Sequence, residues 1–100
     1  MSNIPIIAAT TAAVATAVEA NASSYPVVAF AASGLAGAET VTIKVSVAGG
    51  LAQAVNTEGA SANLTAALPM QYLPGGARYA ITKSATVAAS GVDMIVARHY

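Results

Sequence analysis

The sequence predicts an all-β fold: a small immunoglobulin-like β-sandwich or barrel of about seven short strands with an extended N-terminal arm. Two observations predict it. From Glu39 to Val47, valine and isoleucine alternate with polar residues, and a period of two over nine residues is typical of a half-buried strand. Turn residues such as Gly49-Gly50 recur on either side at spacings of about 8–12 residues, as they do between the short strands of sandwiches and barrels.

The predicted strands follow one another through short connections. In the first of them Val28 and Phe30 are two residues apart and are expected on the inner face. Gly50 ends the second strand, and Gly59 can take the positive φ that a tight turn requires. The seven predicted strands are Tyr25–Ala32, Glu39–Val47, Leu51–Val55, Ala60–Ala66, Met70–Leu73, Arg78–Lys83 and Val92–Ala97.

The first 24 residues differ from the rest because alanine and threonine dominate them. We therefore divide the chain into residues 1–24, an N-terminal arm with a first strand, and residues 25–100, the β-sandwich domain. Within the arm, Ala12–Ala20 fits a helix by the propensity of alanine, or a strand by the even spacing of Val14 and Val18. We favour the strand because the rest of the chain is predicted to be all-β.

Met1–Thr11 carries no charge and few turn residues. One interpretation is an extended arm that lies on a neighbouring molecule, and the other is a frayed terminus, which is common at the ends of domains. Three isoleucines within four positions favour the arm. Ile4, Ile6 and Ile7 are therefore the suspected interface residues.

A tyrosine follows a tight turn in the segment Pro74–Tyr79. In immunoglobulin-like sandwiches, a tyrosine at such a corner donates a hydrogen bond back to the main chain. The alternative is a core tyrosine without a special hydrogen bond, and the sequence leaves both open.

Charge is scarce in this chain. Lys, Arg, Asp and Glu make up 8% of the residues and the formal net charge is zero, whereas soluble domains usually carry about a quarter of charged residues. No basic excess is present to replace phosphate counterions, so we expect no binding to nucleic acid or to an anionic membrane. Since 56% of the residues are apolar, a free monomer would tend to associate. We therefore expect copies of the chain or a larger assembly to cover much of its surface.

The length of 100 residues fits one domain with one core. The chain has no cysteine, which excludes disulfides and thiolate metal sites. The N-terminal residues lack the basic start of a secretory signal, and no run of about 20 predominantly apolar residues is present for a membrane span.

The residues give little support for an enzyme. His99 is the only histidine, it is next to the last residue, and no neighbouring carboxylate in the sequence orients it. The four acids, Glu19, Glu39, Glu58 and Asp93, lie near predicted strand ends or turns and are interpreted as solvated side chains. No spacing fits a calcium loop, a zinc site or a phosphate-binding glycine loop. We expect no catalytic residue, no metal and no cofactor.

Three segments carry a family resemblance: Ser33–Ile43, Leu73–Lys83 and Gly91-Val92. Together they resemble small proteins encoded among the virion genes of tailed bacteriophages, over about residues 26–96. The resemblance implies a small β-sandwich on the virus particle, a decoration or cement protein of the capsid. It implies no catalytic residues. Around Leu51–Val55 this chain has alanines where the relatives tend to have larger or aromatic residues.

The expected function is therefore that of a structural virion protein on the capsid surface, which binds the outer shell and stabilises it through apolar and main-chain contacts. The expected partners are the major capsid protein and copies of the chain itself, in a homo-oligomer or a lattice. Two alternatives stay open: a structural subunit of the tail or head–tail junction, and a module that binds glycans or a host surface. A glycan site would use exposed aromatic residues, of which the candidates are Tyr25, Phe30, Tyr72, Tyr79 and Tyr100.

Overall fold

The computed structural model describes residues 2–19 and 27–96, and within them it consists of strands and turns. The predicted all-β sandwich is confirmed. The described residues form nine strands where about seven were predicted, seven of them after residue 26 and two before it. The nine strands are β1 Ser2–Thr10, β2 Val14–Glu19, β3 Val27–Ala32, β4 Thr40–Val47, β5 Gly50–Gln53, β6 Leu64–Thr65, β7 Met70–Pro74, β8 Arg78–Lys83 and β9 Ser90–Val96.

The strands form two antiparallel sheets. Sheet A has the order β1-β9-β3-β7, and sheet B has the order β2-β8-β4-β5, with the two-residue β6 also paired to β4. If β6 is set aside, the remaining eight strands pair as a nested hairpin: β1 with β9, β2 with β8, β3 with β7 and β4 with β5. When this long hairpin folds into two sheets, β9 also pairs with β3 and β8 also pairs with β4. The resulting strand order is that of a jelly roll. The sandwich therefore has jelly-roll order, whereas immunoglobulin sheets combine their strands differently.

The N-terminal residues belong to both sheets. Between Ala12 and Ala20 the strand alternative is the one found, as β2, which pairs with β8 in regular register from Val14↔Lys83 to Glu19↔Arg78. Residues 2–10 are extended, as expected of an arm, but they pair with β9 of the same chain. The sandwich therefore includes residues 2–19, ahead of the domain start placed at residue 25.

The core lies between the sheets and is built from alternate residues of each strand. In β4 and β8 the buried residues recur every second position, as the periodicity predicts. Phe30 from sheet A meets Tyr79 from sheet B edge to face, with ring centroids 5.6 Å apart. The largest fully buried apolar side chains are Phe30, Ile43, Leu64, Leu73, Ile81, Val28, Val41 and Val92.

Tyr79 forms the corner bond that was one of the two alternatives. Its hydroxyl donates to the main-chain oxygen of Pro74 at 2.6 Å. The ring is buried at the start of β8, and this burial raises the pKa of the Tyr79 phenol above its usual value. The bond fixes the β7–β8 turn where the chain passes from sheet A to sheet B.

A buried lysine fixes the opposite end of the sandwich. The alternation of β8 points Lys83 inward, and its side chain is fully buried. Its ammonium donates to the oxygens of Ala12 (2.7 Å) and Ser84 (3.0 Å) and to Oγ1 of Thr86 (3.2 Å). These acceptors match the three donors of an ammonium group. Lys83 thereby ties the β1–β2 corner to the β8–β9 connection.

Candidate interaction surface

The outer sides of the two sheets differ in chemistry. On sheet B the outward positions of β4 and β8 are mostly polar or charged, namely Thr40, Thr42, Lys44, Ser46, Arg78 and Thr82. On sheet A the outward positions are mostly apolar. We call this side the apolar face, and it consists of Pro5, Val27, Ala29, Ala31, Met70, Tyr72, Pro74 and Ile95.

The apolar face is a continuous surface across all four strands of sheet A. Ala29 lies between Ile95 on β9 and Tyr72 on β7 in the register, and it is only 3% exposed although it points outward. Its cross-strand neighbours therefore cover it. Tyr72 itself is 52% exposed, and Met70 and Val27 are 40% and 42% exposed. Large side chains at one side of the face thus project beside small ones at its centre.

A trough of about 360 Å³ crosses the face between β1 and β3. Small residues line it, among them Ala8, Ala31 and Gly91. Asp93 also lines the trough, and it is the only charged residue on the four strands of sheet A. The trough can take an apolar side chain of a partner, and Asp93 offers one point of charge recognition within it.

Gly91 gives the trough its depth. A side chain at this position would place a Cβ atom 2.8 Å from the oxygen of Ile7 and 3.1 Å from the nitrogen of Ala9, both in β1. The register of β1 against β9 is irregular at this place, between Pro5 and Ile7 and between Ile7 and Thr10. Glycine therefore lets β1 cross closely over β9.

Main-chain and side-chain groups cover part of the β7 edge and the stretch of β4 between two of its partners. The nitrogen of Thr57 donates to the oxygen of Tyr72 at the outer edge of β7. On β4, between its pairings with β5 and β6, the nitrogen of Ile43 donates to Oδ1 of Asn63, and its oxygen accepts from Gln53 and from the nitrogen of Ala54. These bonds satisfy polar groups that would otherwise be open to another strand.

Two of the edge strands, β1 and β2, lie on the same side of the sandwich, and among the described residues each pairs with one strand only. β1 carries Pro5 and two register irregularities, features that blunt an edge against further pairing. β2 has neither proline nor bulge, and its register with β8 is regular over six residues. Of these two edges, only β2 is a regular template for another strand.

The suspected interface residues lie on β1 and have different surroundings. Ile7 is 4% exposed and belongs to the core, because it lies opposite the buried Val92. Ile6 is partly buried against the core. Ile4 is 40% exposed at the edge of sheet A. The structure thus leaves Ile4 as the most accessible of the three.

The candidate chemical groups do not gather into one site. Glu39 accepts hydrogen bonds from the nitrogens of Ala36 (2.9 Å) and Val87 (2.8 Å), so it holds two connections together. Within residues 2–19 and 27–96, no three His, Asp or Glu residues are grouped so that they could hold a metal ion. His99, Tyr25 and Tyr100 lie outside the described residues. Of the candidate aromatics inside that range, Phe30 and Tyr79 are buried and Tyr72 is exposed.

Sequence reasoning missed the apolar face, although a signal for it exists. β3 reads Val-Val-Ala-Phe-Ala-Ala, without any polar alternation. Such a continuous apolar run is typical of strands that are buried on both faces. The core covers β3 on its inner side, and the continuous run means that its outer side is apolar as well.

A second apolar region lies at the turn end of the sandwich. Val47, Leu51 and Val55 are exposed there, beside a hollow of about 190 Å³ lined by Pro74 and Tyr79, among others. These residues lie on a hairpin and a connection, whereas the apolar face lies on paired strands. The apolar face extends over four strands, whereas this second region is confined to one hairpin and the connection after it.

Comparison with known proteins finds no family model, no curated protein and no solved structure that matches the chain. The described residues include no helix that is long and apolar enough to cross a membrane.

Proposed function

We propose that this chain is a structural protein of a virus particle, a capsid decoration protein that docks on the outer shell through its apolar face. The observation that carries the proposal is the contrast between the two sheets. Sheet A presents an apolar outer side with Asp93 as its only charge, while the outward positions of β4 and β8 in sheet B are mostly threonine, serine and cations. A protein coating a shell needs one side for the shell and one for water.

The chemistry of the apolar face favours a protein partner. Burying Tyr72, Met70 and Ile95 against another apolar surface removes them from water, at about 25 cal/mol per Å² of apolar area. In the register Tyr72 lies opposite Ala29, and Ala29 lies opposite Ile95. Apart from the hydroxyl of Tyr72 and the carboxylate of Asp93, the side chains named for this face offer no hydrogen bonds to sugar hydroxyls, which would lose their bonds to water on binding. The face therefore fits a capsid surface better than a glycan.

The partner surface should be apolar and carry a basic group. Asp93 lies half-buried in the trough, and a carboxylate that loses water on docking needs a charged or hydrogen-bonding partner. A lysine or arginine can bury its apolar stem against Ala31 and Pro5 while its charge meets Asp93. We therefore propose that the shell presents one such side chain per docked copy.

The test is binding of the purified chain to capsids of the encoding phage prepared without it. Tyr72→Glu places a charge on the β7 side of the apolar face, and we expect it to weaken co-sedimentation with capsids about tenfold or more. Thr82→Glu is the matched control, because Thr82 is exposed on the outer side of sheet B. Its binding should equal that of the wild type, and both variants should keep a β-sheet circular dichroism spectrum.

Equal binding by the Tyr72→Glu variant would show that the apolar face does not dock on the shell. The location on the particle separates the proposal from its main alternative. A copy number comparable to that of the major shell protein fits decoration. Labelling confined to the tail or the neck would make the chain a tail or head–tail junction subunit.

A further inference from the structure

Among the described residues, two sheet edges are regular and carry neither a proline nor a bulge, namely β2 with six residues and β5 with four. A very short edge strand is itself a poor template, so β2 is the edge that needs an explanation. Natural proteins usually protect such an edge with charges, prolines or bulges, because its unpaired main-chain groups bind other strands. Within β2, the only charged residue is Glu19 at the strand end. An edge left in this state is expected to have a partner strand.

The sequence of β2 identifies that partner. Residues 14–18 read Val-Ala-Thr-Ala-Val, which is the same in both directions and has Thr16 at its centre. In an antiparallel pair of two identical strands, each residue meets the residue at the mirrored position. A palindrome therefore places like opposite like: Val14 opposite Val18, Ala15 opposite Ala17, and Thr16 opposite Thr16 of the second copy.

We infer that the chain forms a two-fold symmetric dimer in which β2 of one copy pairs antiparallel with β2 of a second copy, joining the two B sheets into one continuous sheet. The interface is isologous, because the same strand contributes from both copies. Thr–Thr and β-branched pairs are favourable across antiparallel strands.

The register on Thr16 satisfies three conditions together. It places residues that point into the sandwich opposite residues of the second copy that also point inward. A slip by one residue would place inward residues of one copy opposite outward residues of the other. The register on Thr16 places Glu19 opposite Ala13, so the two carboxylates do not meet. It also pairs all five palindromic residues. A slip by two residues in one direction would leave fewer residues of β2 paired, and a slip in the other direction would place Ala15 opposite Glu19.

The dimer has a consequence for docking, and this consequence alone rests on the proposed function. The two-fold axis of an antiparallel pair within one sheet is perpendicular to that sheet. Both copies therefore turn the same side of sheet B in one direction, and both apolar faces lie together on the opposite side. The dimer would present two docking faces to one surface.

The experiment measures the mass of the full chain in solution by light scattering, from about ten micromolar to about one millimolar, because a short strand pairing gives a concentration-dependent dimer. We expect twice the chain mass of 9.8 kDa at the upper concentrations. A mass that stays at one chain throughout, or one that grows beyond two chains, would overturn the proposal.

Two matched variants locate the interface. Ala15 and Ala17 are exposed in the single chain and point to the same side of sheet B. Ala15→Lys/Ala17→Lys places like charges opposite each other across the pair, and we expect it to abolish the dimer. Ala15→Glu/Ala17→Lys places opposite charges there, and we expect the dimer to persist or tighten.

A dimer that survives the double lysine variant would show that the copies associate elsewhere. Loss of the dimer in both variants would contradict the antiparallel register.

Discussion

At the scale of single residues, Tyr79 connects stability to pH. Its hydroxyl donates to the oxygen of Pro74, and burial raises the pKa of its phenol above the ordinary value of 10.0. Above that pH the unfolded chain loses this proton while the folded chain keeps it. The folded state then binds more protons, so the free energy of unfolding falls as pH rises beyond about 10, and at lower pH Tyr79 gives it no pH dependence.

We expect Tyr79→Phe to lower the free energy of unfolding at pH 7 by about 1 kcal/mol, because one hydrogen bond is lost. The same substitution should make the alkaline decline shallower. Urea unfolding of both proteins at pH 7 and at several values above pH 10 measures the two effects. Tyr72→Phe, at an exposed tyrosine, is the control for removing a hydroxyl and should leave stability at pH 7 unchanged. An unchanged alkaline slope in Tyr79→Phe would contradict the assignment.

Lys83 shows where residue-level reasoning from sequence stops. The alternation of Tyr79, Ile81 and Lys83 places the lysine on the inner face, yet a lysine at a strand end is normally taken as solvated. What makes its burial acceptable is the group of oxygens from Ala12, Ser84 and Thr86. One of them is more than seventy positions away in the chain, and no local pattern predicts that contact.

At the scale of elements, the strands were predictable and their partners were not. Period-two alternation and turn residues located β4 and β8 almost to the residue, since these signals are local. Whether Ala12–Ala20 is helix or strand depended on pairing with β8, which the sequence does not encode locally. The same holds for β1 with β9, which joins the two ends of the chain. The nested pairing that makes a jelly roll is therefore a property of the assembled sheets.

Gly91 tests the close crossing of β1 over β9. Gly91→Ala would bring a methyl group to 2.8 Å from the oxygen of Ile7, so β1 must move away and the burial of Ile7 is reduced. We expect a loss of about 1–3 kcal/mol in the free energy of unfolding, measured by urea denaturation. Gly50→Ala is the matched control, because a Cβ atom there meets only an ordinary contact at 3.8 Å. Equal stability of the two variants would contradict the steric role of Gly91.

At the scale of the whole molecule, composition predicted association but not its geometry. Only 8% of the residues are charged, and the structure distributes these charges unevenly between two sheets. The outer side of sheet A and the edge of β2 are two of the surfaces that this distribution leaves uncharged or nearly so. Sequence analysis placed the interface at Ile4, Ile6 and Ile7, because it could not know that Ile7 lies in the core.

The size of the apolar face implies that one copy docks weakly. Four strands about five residues deep cover roughly 300 Å², which is less than half of the about 800 Å² per partner in a stable interface of standard size. Two linked faces that bind neighbouring positions of a repeating shell gain through effective concentration, without any new contact. The proposed dimer and the proposed docking face would together let so small a surface hold a protein on a particle.

We therefore expect the monomeric variant Ala15→Lys/Ala17→Lys to bind capsids about 100-fold more weakly than the wild-type chain. The variant Ala15→Glu/Ala17→Lys, which keeps the dimer, should bind as the wild type does. Both variants carry their substitutions on β2, away from the apolar face. A difference in their affinity for capsids therefore reflects whether one or two docking faces are joined in one molecule. Co-sedimentation isotherms on the same capsid preparation measure it. Equal affinity of the two variants, with their masses differing as expected, would contradict bivalent docking while leaving the dimer established.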